Sequence, residues 1–264
     1  MVGIETRRKG VTIQSVERAV SVLEVFFDEG SPCSVKEVVH QTGLAPATAH
    51  RLLSTLVKVG WLQQDSRSSR YELSERMLGG SALALANSSL LRNGQHFLSQ
   101  IATNTGLNSF LAVLMRRGSV LLARAQGRAG SAPDFQVGKT HPIHASASGK
   151  LFLAFLTDRE RRSLLARQGE LKRFTPNTIT DVGQLEAELQ DIRLRGYAVD
   201  RGEMYETLRG VAVPVRKADG SVIAALCCAG WLNQVPDDFE EALVREMRPV
   251  AEEFSHAYGD FETW

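Results

Sequence analysis

The sequence predicts an α+β chain in two parts, a helical N-terminal quarter and a longer mixed domain. Three observations carry this. Apolar residues recur at helical spacing as far as Thr105. β-rich runs begin near Leu107. Beyond that point strands and helices intermix without the regular strand–helix–strand repeat of a doubly wound sheet. At 264 residues the chain has room for one large domain or two small ones. Its 43% hydrophobic and 23% charged residues exclude a mainly disordered protein, and 22 Gly without a three-residue period exclude collagen. No apolar run reaches the roughly 18 residues of a membrane span. Arg7, Arg8 and Lys9 are not followed by the apolar stretch of a signal peptide, so the expected location is the cytoplasm. Cys33, Cys227 and Cys228 cannot build a disulfide framework. A net charge of +1 gives no overall pull toward nucleic acid, so DNA binding has to rest on local charge.

Residues 1–11 read as a flexible basic arm, and 12–75 as the first folded unit. Ser15 can cap a helix whose inward positions are Val16, Ala19, Val20, Leu23 and Phe26 or Phe27. Gly30-Ser31-Pro32 stops it. Ser34 followed by Glu37 is a capping box opening a short helix. Thr42-Gly43-Leu44 makes the turn, and Pro46 suits the first turn of the next helix. In that helix Ala49, Leu52, Leu53, Leu56 and Val57 form an apolar stripe. The opposite face carries Ala47, Thr48, His50, Arg51, Ser54, Thr55 and Lys58. Two helices joined by a short glycine turn make a helix-turn-helix, and the polar face of the second suits a major groove. Trp61–Gln64 and Arg70–Leu73 flank a polar turn as a β-hairpin wing. Around it Arg51, Lys58, Arg67 and Arg70 face only Asp65, so the charge is locally positive. The reading places Ala47, Thr48, His50 and Arg51 near bases or adjacent phosphates, and Ser54, Lys58, Arg67 and Arg70 mainly on the DNA backbone.

Residues 76–93 read as a linker helix, with a domain boundary near Asn93-Gly94, and 94–264 as a second domain. Within it a helix ends at Gly106. Leu107–Met115 and Val120–Ala125 form a hairpin, Phe135–Lys139 is a short strand candidate, and Lys150–Leu156 and Arg159–Arg167 are helical. Thr180 or Asp181 caps a third helix that stops at Gly196. Tyr197–Asp200, Val211–Arg216 and Val222–Ala229 are strands, and a closing helix runs from Pro236-Asp237 to about Tyr258.

From Thr12 to Tyr258 the chain resembles the IclR-type bacterial transcriptional regulators. The resemblance rests on Ser15-Val16-Glu17-Arg18-Ala19, Thr42-Gly43-Leu44, His50-Arg51-Leu52-Leu53, the run Pro142–Lys150, Thr175–Thr180, Ile192–Val199 and Val213-Pro214-Val215, in that order and spacing. It implies a winged helix-turn-helix, a linker helix and a GAF-like effector domain. It also implies a homodimer or homotetramer on double-stranded operator DNA, and a small organic or aromatic acid as effector. Repression is expected over activation only because repressors are the commoner members.

The positions matching the family's ligand site are Ala147, Ser148, Gly149, Asp200, Gly210, Cys227 and Ala229. Physically, the loop Ala145–Gly149 sits just before a helix, whose first N–H groups favour a carboxylate. Cys227 and Ala229 stand where the family often has serines, Gly210 where a cysteine is common, and Thr207 where a glycine is common. Loss of hydroxyls and the space at Gly210 predict an acid larger or more apolar than glyoxylate, such as an aromatic one.

No cofactor, metal or catalytic residue is expected. Gly138-Lys139-Thr140 lacks the upstream glycine of a phosphate loop, since Pro133 stands there, and Gly149-Lys150 is followed by Leu151. His141 and His144 have no clear third ligand. Two alternatives stay open at this point. One is an enzyme using Asp200 and Cys227 on a small acid, and the other a DNA-binding repressor without a ligand.

Overall fold

The structure is a computed structural model and describes residues 12–30, 32–115, 118–130 and 135–261. The basic arm at 1–11 lies outside the described residues. The chain divides into two compact units, the first ending at Leu85 and the second beginning at Ala86.

In the first unit, α1 (Gln14–Glu29), α2 (Val35–Thr42) and α3 (Pro46–Lys58) precede a two-stranded antiparallel sheet, β1 (Leu62–Gln64) with β2 (Tyr71–Leu73). The caps are mostly those the sequence predicts. Ser34 and Glu37 form both halves of the capping box, Gly30 and Gly43 end their helices in the left-handed region, and Pro46 sits in the first turn. The start of α1 differs. Ile13 holds the N-cap position without a side-chain bond, Ser15 lies inside the helix, and Val16 and Val20, expected inward, are exposed. Val22, Val25, Phe26, Val38, Ala49, Leu53, Leu56, Leu62 and Tyr71 close one core. At about 25 cal/mol per Å² of apolar area, a core of this size is the main force holding three short helices together. Helix α4 (Glu75–Asn87) follows.

The second unit holds a six-stranded antiparallel sheet in the order β5-β4-β3-β8-β7-β6. Its strands are β3 (Asn108–Met115), β4 (Gly118–Ala125), β5 (Thr140–Pro142), β6 (Ala198–Asp200), β7 (Leu208–Arg216) and β8 (Val222–Trp231). The helices are α5 (Ser89–Thr105), α6 (Ala147–Phe155), α7 (Asp158–Gln168), α8 (Val182–Arg195) and α9 (Phe239–Phe261). Strand alternation gives the sheet two buried faces. Phe110, Ala112, Ala212, Cys227 and Ala229 pack with α6 and α8. Leu111, Val211, Val213, Leu226 and Cys228 pack with α5 and α9.

Two expectations need correction. Asn93-Gly94 is not a boundary but part of α5. A Cβ on Gly94 would meet Leu111 Cδ2 at 2.9 Å and Phe254 Cζ at 3.4 Å, so the glycine serves close helix packing rather than a break. The 76–93 segment is accordingly the end of one helix and the start of another, with Ser88 capping α5. The strand expected at Phe135–Lys139 lies instead at Thr140–Pro142, because Val137 and Gly138 form a turn with Gly138 at φ +86°. Pro142 fits there, since β5 is an edge strand and needs no N–H on its outer side.

Candidate functional site

Helix α3 turns its buried stripe, Ala49, Leu53 and Leu56, toward the core and leaves the opposite side in solvent. Ala47, His50, Arg51, Ser54, Lys58 and Arg67 are exposed, and Thr48 is half-buried. Among the described residues, none of the predicted contact residues except Arg70 is tied up by an ion pair. Arg70 donates through Nε and Nη2 to the Pro32 carbonyl, at 3.0 and 2.8 Å, and pairs with Glu37 at 2.8 Å. It anchors the wing to the start of α2, a structural duty that the sequence reading did not assign. Glu37 is held down at about pKa 2 by the Ser34 backbone N–H, the Ser34 hydroxyl and Arg70. The tip of the wing is shaped by Asp65, whose carboxylate accepts from the Arg67 N–H at 2.9 Å and the Ser68 hydroxyl at 2.7 Å.

In the second unit, Ala147, Ser148, Asp200, Gly210, Cys227 and Ala229 come together from α6, β6, β7 and β8 around a cavity of about 30 Å³. That is room for a water or two and far below the roughly 300–1,000 Å³ of a drug-sized pocket. Phe110 and Phe135, stacked at 4.8 Å between centroids, supply aromatic wall, and His141 stands edge-on to Phe135. Leu121, Met204 and Leu208 complete the apolar lining. Sequence reasoning missed these residues. Only the pattern of β3, which sends Phe110 to the same side as Ala112, carried a signal for one of them.

Ser146, not Ser148, caps α6, accepting from the Gly149 N–H at 3.1 Å. This leaves the N–H groups of Ala147 and Ser148 unclaimed by the cap, at the end where a carboxylate is favoured. The Ser148 hydroxyl accepts from Ser119 at 2.7 Å. Gly149 does not line the cavity. A Cβ there would meet the Ile143 carbonyl oxygen at 2.4 Å, so this glycine permits helix packing and not ligand approach. Gly210 is the converse. A Cβ would make ordinary contacts with Ala229 and Cys228 at 3.4 Å and Asp200 at 3.9 Å, so its absence leaves space that the fold does not demand.

Asp200 is 3% exposed and accepts from the N–H groups of Gly202 at 3.0 Å and Glu203 at 2.7 Å. Burial pushes its carboxyl up to about 7, and the Glu203 charge adds to this against the N–H bonds and Lys150. Behind the cavity, Lys150 is fully buried, paired with Glu203 Oε1 and 3.6 Å from Glu188. The second Glu203 oxygen is buried with no partner among the described residues. Removing one member of such a pair typically costs about 3–5 kcal/mol, so the lysine of this run is a structural ion-pair residue rather than a phosphate ligand. The Cys227 and Cys228 thiols are pushed up to about 12 by burial, which leaves neither as a thiolate nucleophile at neutral pH. His144 is committed to the Lys172 carbonyl at 2.9 Å. Among the described residues, no three His, Cys, Asp or Glu are placed to hold a metal ion. No helix among them is long and apolar enough to cross a membrane.

Comparison with known proteins meets this geometry over both units. Residues 15–66 match the IclR helix-turn-helix domain, and residues 82–256 match the bacterial transcriptional regulator IclR C-terminal domain. The HTH-type transcriptional regulator XynR of Escherichia coli K12 is 30% identical over 234 residues, covering 89% of this chain and 92% of XynR. The p-hydroxybenzoate hydroxylase transcriptional activator of Acinetobacter baylyi is 31% identical over 243 residues, covering 90% and 88%. An IclR homologue from Microbacterium hydrocarbonoxydans, solved with 4-hydroxybenzoate, is 27% identical at a TM-score of 0.63, covering 91% of this chain and 98% of that one. With both halves matched in order and relatives aligned along nearly their full length, the chain belongs to the IclR family of bacterial transcriptional regulators and is a DNA-binding regulator, not an enzyme.

Proposed function

We propose that this regulator is a repressor of a catabolic operon, acting on cytoplasmic double-stranded DNA and released by a small aromatic acid. The observation that carries the ligand reading is the cavity itself. A helix start with free N–H groups, a buried hydroxyl and a buried carboxyl meet a stacked pair of phenylalanines. The polar end suits a carboxylate and the aromatic end an apolar ring. The Microbacterium relative, solved with 4-hydroxybenzoate, supports the same class. At about 30 Å³ the cavity is too small for a benzoate as it stands. An aromatic acid therefore binds a more open conformation, and so shifts the population toward it. Repression rests on the predominance of repressors in the family.

For DNA, the exposed face of α3 supports Ala47, Thr48, His50 and Arg51 at bases or adjacent phosphates, with Ser54, Lys58 and Arg67 on backbone. Arg70 contributes through the wing it anchors. A homodimer or homotetramer is supported by the apolar residues left in solvent at the N-cap of α1 (Ile13), along α1 (Val16, Val20 and Phe27) and along α4 (Leu83 and Leu85). A dimer presents two recognition helices to two half-sites of a palindrome.

Fluorescence anisotropy on the chain's own upstream DNA tests the reading, at fixed salt with competitor DNA and a panel of aliphatic and aromatic acids. The expected result is saturable specific binding weakened by an aromatic acid, and loss of at least tenfold in affinity for Arg51→Ala with an unchanged melting temperature. Tighter binding of glyoxylate than of any aromatic acid by calorimetry overturns the ligand class. Full-affinity operator binding by Arg51→Ala at physiological salt overturns the assigned reading face. Transcription that falls without the protein and rises with it reverses the sign.

A further inference from the structure

At one edge of the sheet, part of β7 has no paired strand beside it. β6 spans only Ala198–Asp200 and pairs with Gly210–Ala212, so among the described residues β7 runs on from Val213 to Arg216 with no strand on that side. The end of α8 and the second half of α9 flank it, forming a groove of about 700 Å³. Pro214 on the open edge lacks an N–H and blunts it against a further strand.

The groove is strongly basic. Arg195, Arg216, Lys217, Arg248 and His256 line it, and Glu252 is the one carboxylate among the lining residues. Arg195 is neutralised by Glu188 at 2.7 Å. Arg216 and Arg248 are not. Among the described residues neither has a carboxylate within 4.0 Å. Arg216 donates to the Gly220 carbonyl at 3.0 Å and lies over the Phe155 ring at 4.2 Å. Arg248 donates to the Arg195 carbonyl at 2.9 Å. Each guanidinium keeps donors unused, since five are available. Burial alone lowers the Arg216 pKa from its ordinary value, with no neighbouring acid to offset it. A half-buried cation of this kind is completed by an external anion.

We propose that this groove is a second ligand site, separate from the aromatic-walled cavity, that takes a small dianion with two carboxylates or one phosphate, held by Arg216 and Arg248. The apolar floor of Val213, Pro214 and Ala251 excludes water beneath it and strengthens the charge-assisted bonds. Arg195 links the site inward, because its partner Glu188 also lies beside Lys150.

Isothermal titration of the full chain with inorganic phosphate and with succinate, at constant ionic strength, tests the site. The expected result is saturable binding of one of the two probes at one site per chain. Arg248→Gln, an exposed position, weakens it at least tenfold, and Arg216→Gln does the same while Arg216→Lys retains part. Gly210→Ala, which takes space from the other cavity at ordinary contact distances, leaves probe binding unchanged. Absence of saturable binding of both probes overturns the proposal, as does equal affinity in the wild type and both glutamine variants. Loss of probe binding in Gly210→Ala places the probe in the other cavity and also overturns it. A hexaglutamate peptide that binds where neither probe does replaces the small dianion with an acidic protein partner.

Discussion

Replacing Asp200 by asparagine isolates the most perturbed carboxyl in the second unit. The substitution keeps the shape, and the amide oxygen still accepts from the Gly202 and Glu203 N–H groups. What it removes is a titration. Burial raises Asp200 from 3.8 to about 7 in the folded chain. Folding therefore favours the protonated acid, and its contribution is fully present below the unfolded pKa and lost as pH rises through the folded one. At 1.36 kcal/mol per unit, the full cost of ionising the buried group is on the order of 4 kcal/mol. Asp200→Asn is spared that cost. Urea unfolding of both proteins between pH 5 and 9 reads the difference. The variant's advantage is expected to grow by about 2 kcal/mol from pH 5 to 7, and by less than about 0.5 kcal/mol from 7 to 9. The Lys150–Glu203 pair is common to both proteins and cancels to first order. Stability curves that run parallel across the whole range would refute the argument that burial, and not the two N–H bonds, controls this carboxyl.

Three further outcomes follow from the geometry. Gly149→Ala forces a Cβ into the Ile143 backbone and is expected to destabilise by more than about 3 kcal/mol in chemical denaturation, whereas Gly210→Ala costs less than about 1 kcal/mol yet weakens binding of 4-hydroxybenzoate severalfold in calorimetry. Equal stability of the two variants contradicts the packing reading of Gly149. Glu37→Gln is expected to lower the melting temperature at pH 7 and to match the wild type near pH 2. A carboxylate with a depressed pKa gives its stability above the unfolded value and loses it as pH falls through the folded one. A pH-independent difference rules that out. Cys227 and Cys228 are expected to resist a thiol reagent at pH 8 until the chain unfolds, and rapid labelling of either in the native protein contradicts their burial.

The first unit was legible because its determinants are local. The Ser34–Glu37 box, Gly43 and Pro46 each act over three or four residues, and the stripe from Ala49 to Val57 states its own buried face. The misreadings come from glycines and from distance. Gly94 and Gly149 look like loop or ligand-approach glycines, but the atoms that require them, on Leu111, Phe254 and Ile143, belong to other elements. The pairing of Arg70 with Glu37 and Pro32 was out of reach because those partners lie more than thirty residues upstream. The cavity is the extreme case. Phe110, Phe135, Ser148, Asp200 and Cys227 are neighbours only once β3, β7, β8 and α6 have assembled, and no spacing in the chain announces them together. The cavity-lining residues Ala147, Asp200 and Cys227 were singled out through likeness to a family, and the aromatic wall was not.

Strand β8 carries its two sulfurs side by side and points them to opposite faces of the sheet. Cys227 lines the cavity, while Cys228 reaches α5, where its sulfur lies 3.5 Å from the Thr105 hydroxyl. One peptide unit thus partitions the inside of the cavity from the last turn of that helix. A close-packed interior transmits small displacements rather than absorbing them. A ring that widens the cavity by a few tenths of an ångström at Cys227 has only one residue of strand through which to disperse the strain before it meets α5. The thickness of a single β-strand, more than the length of any loop, sets how directly the occupancy of the cavity is felt on the far side of the sheet.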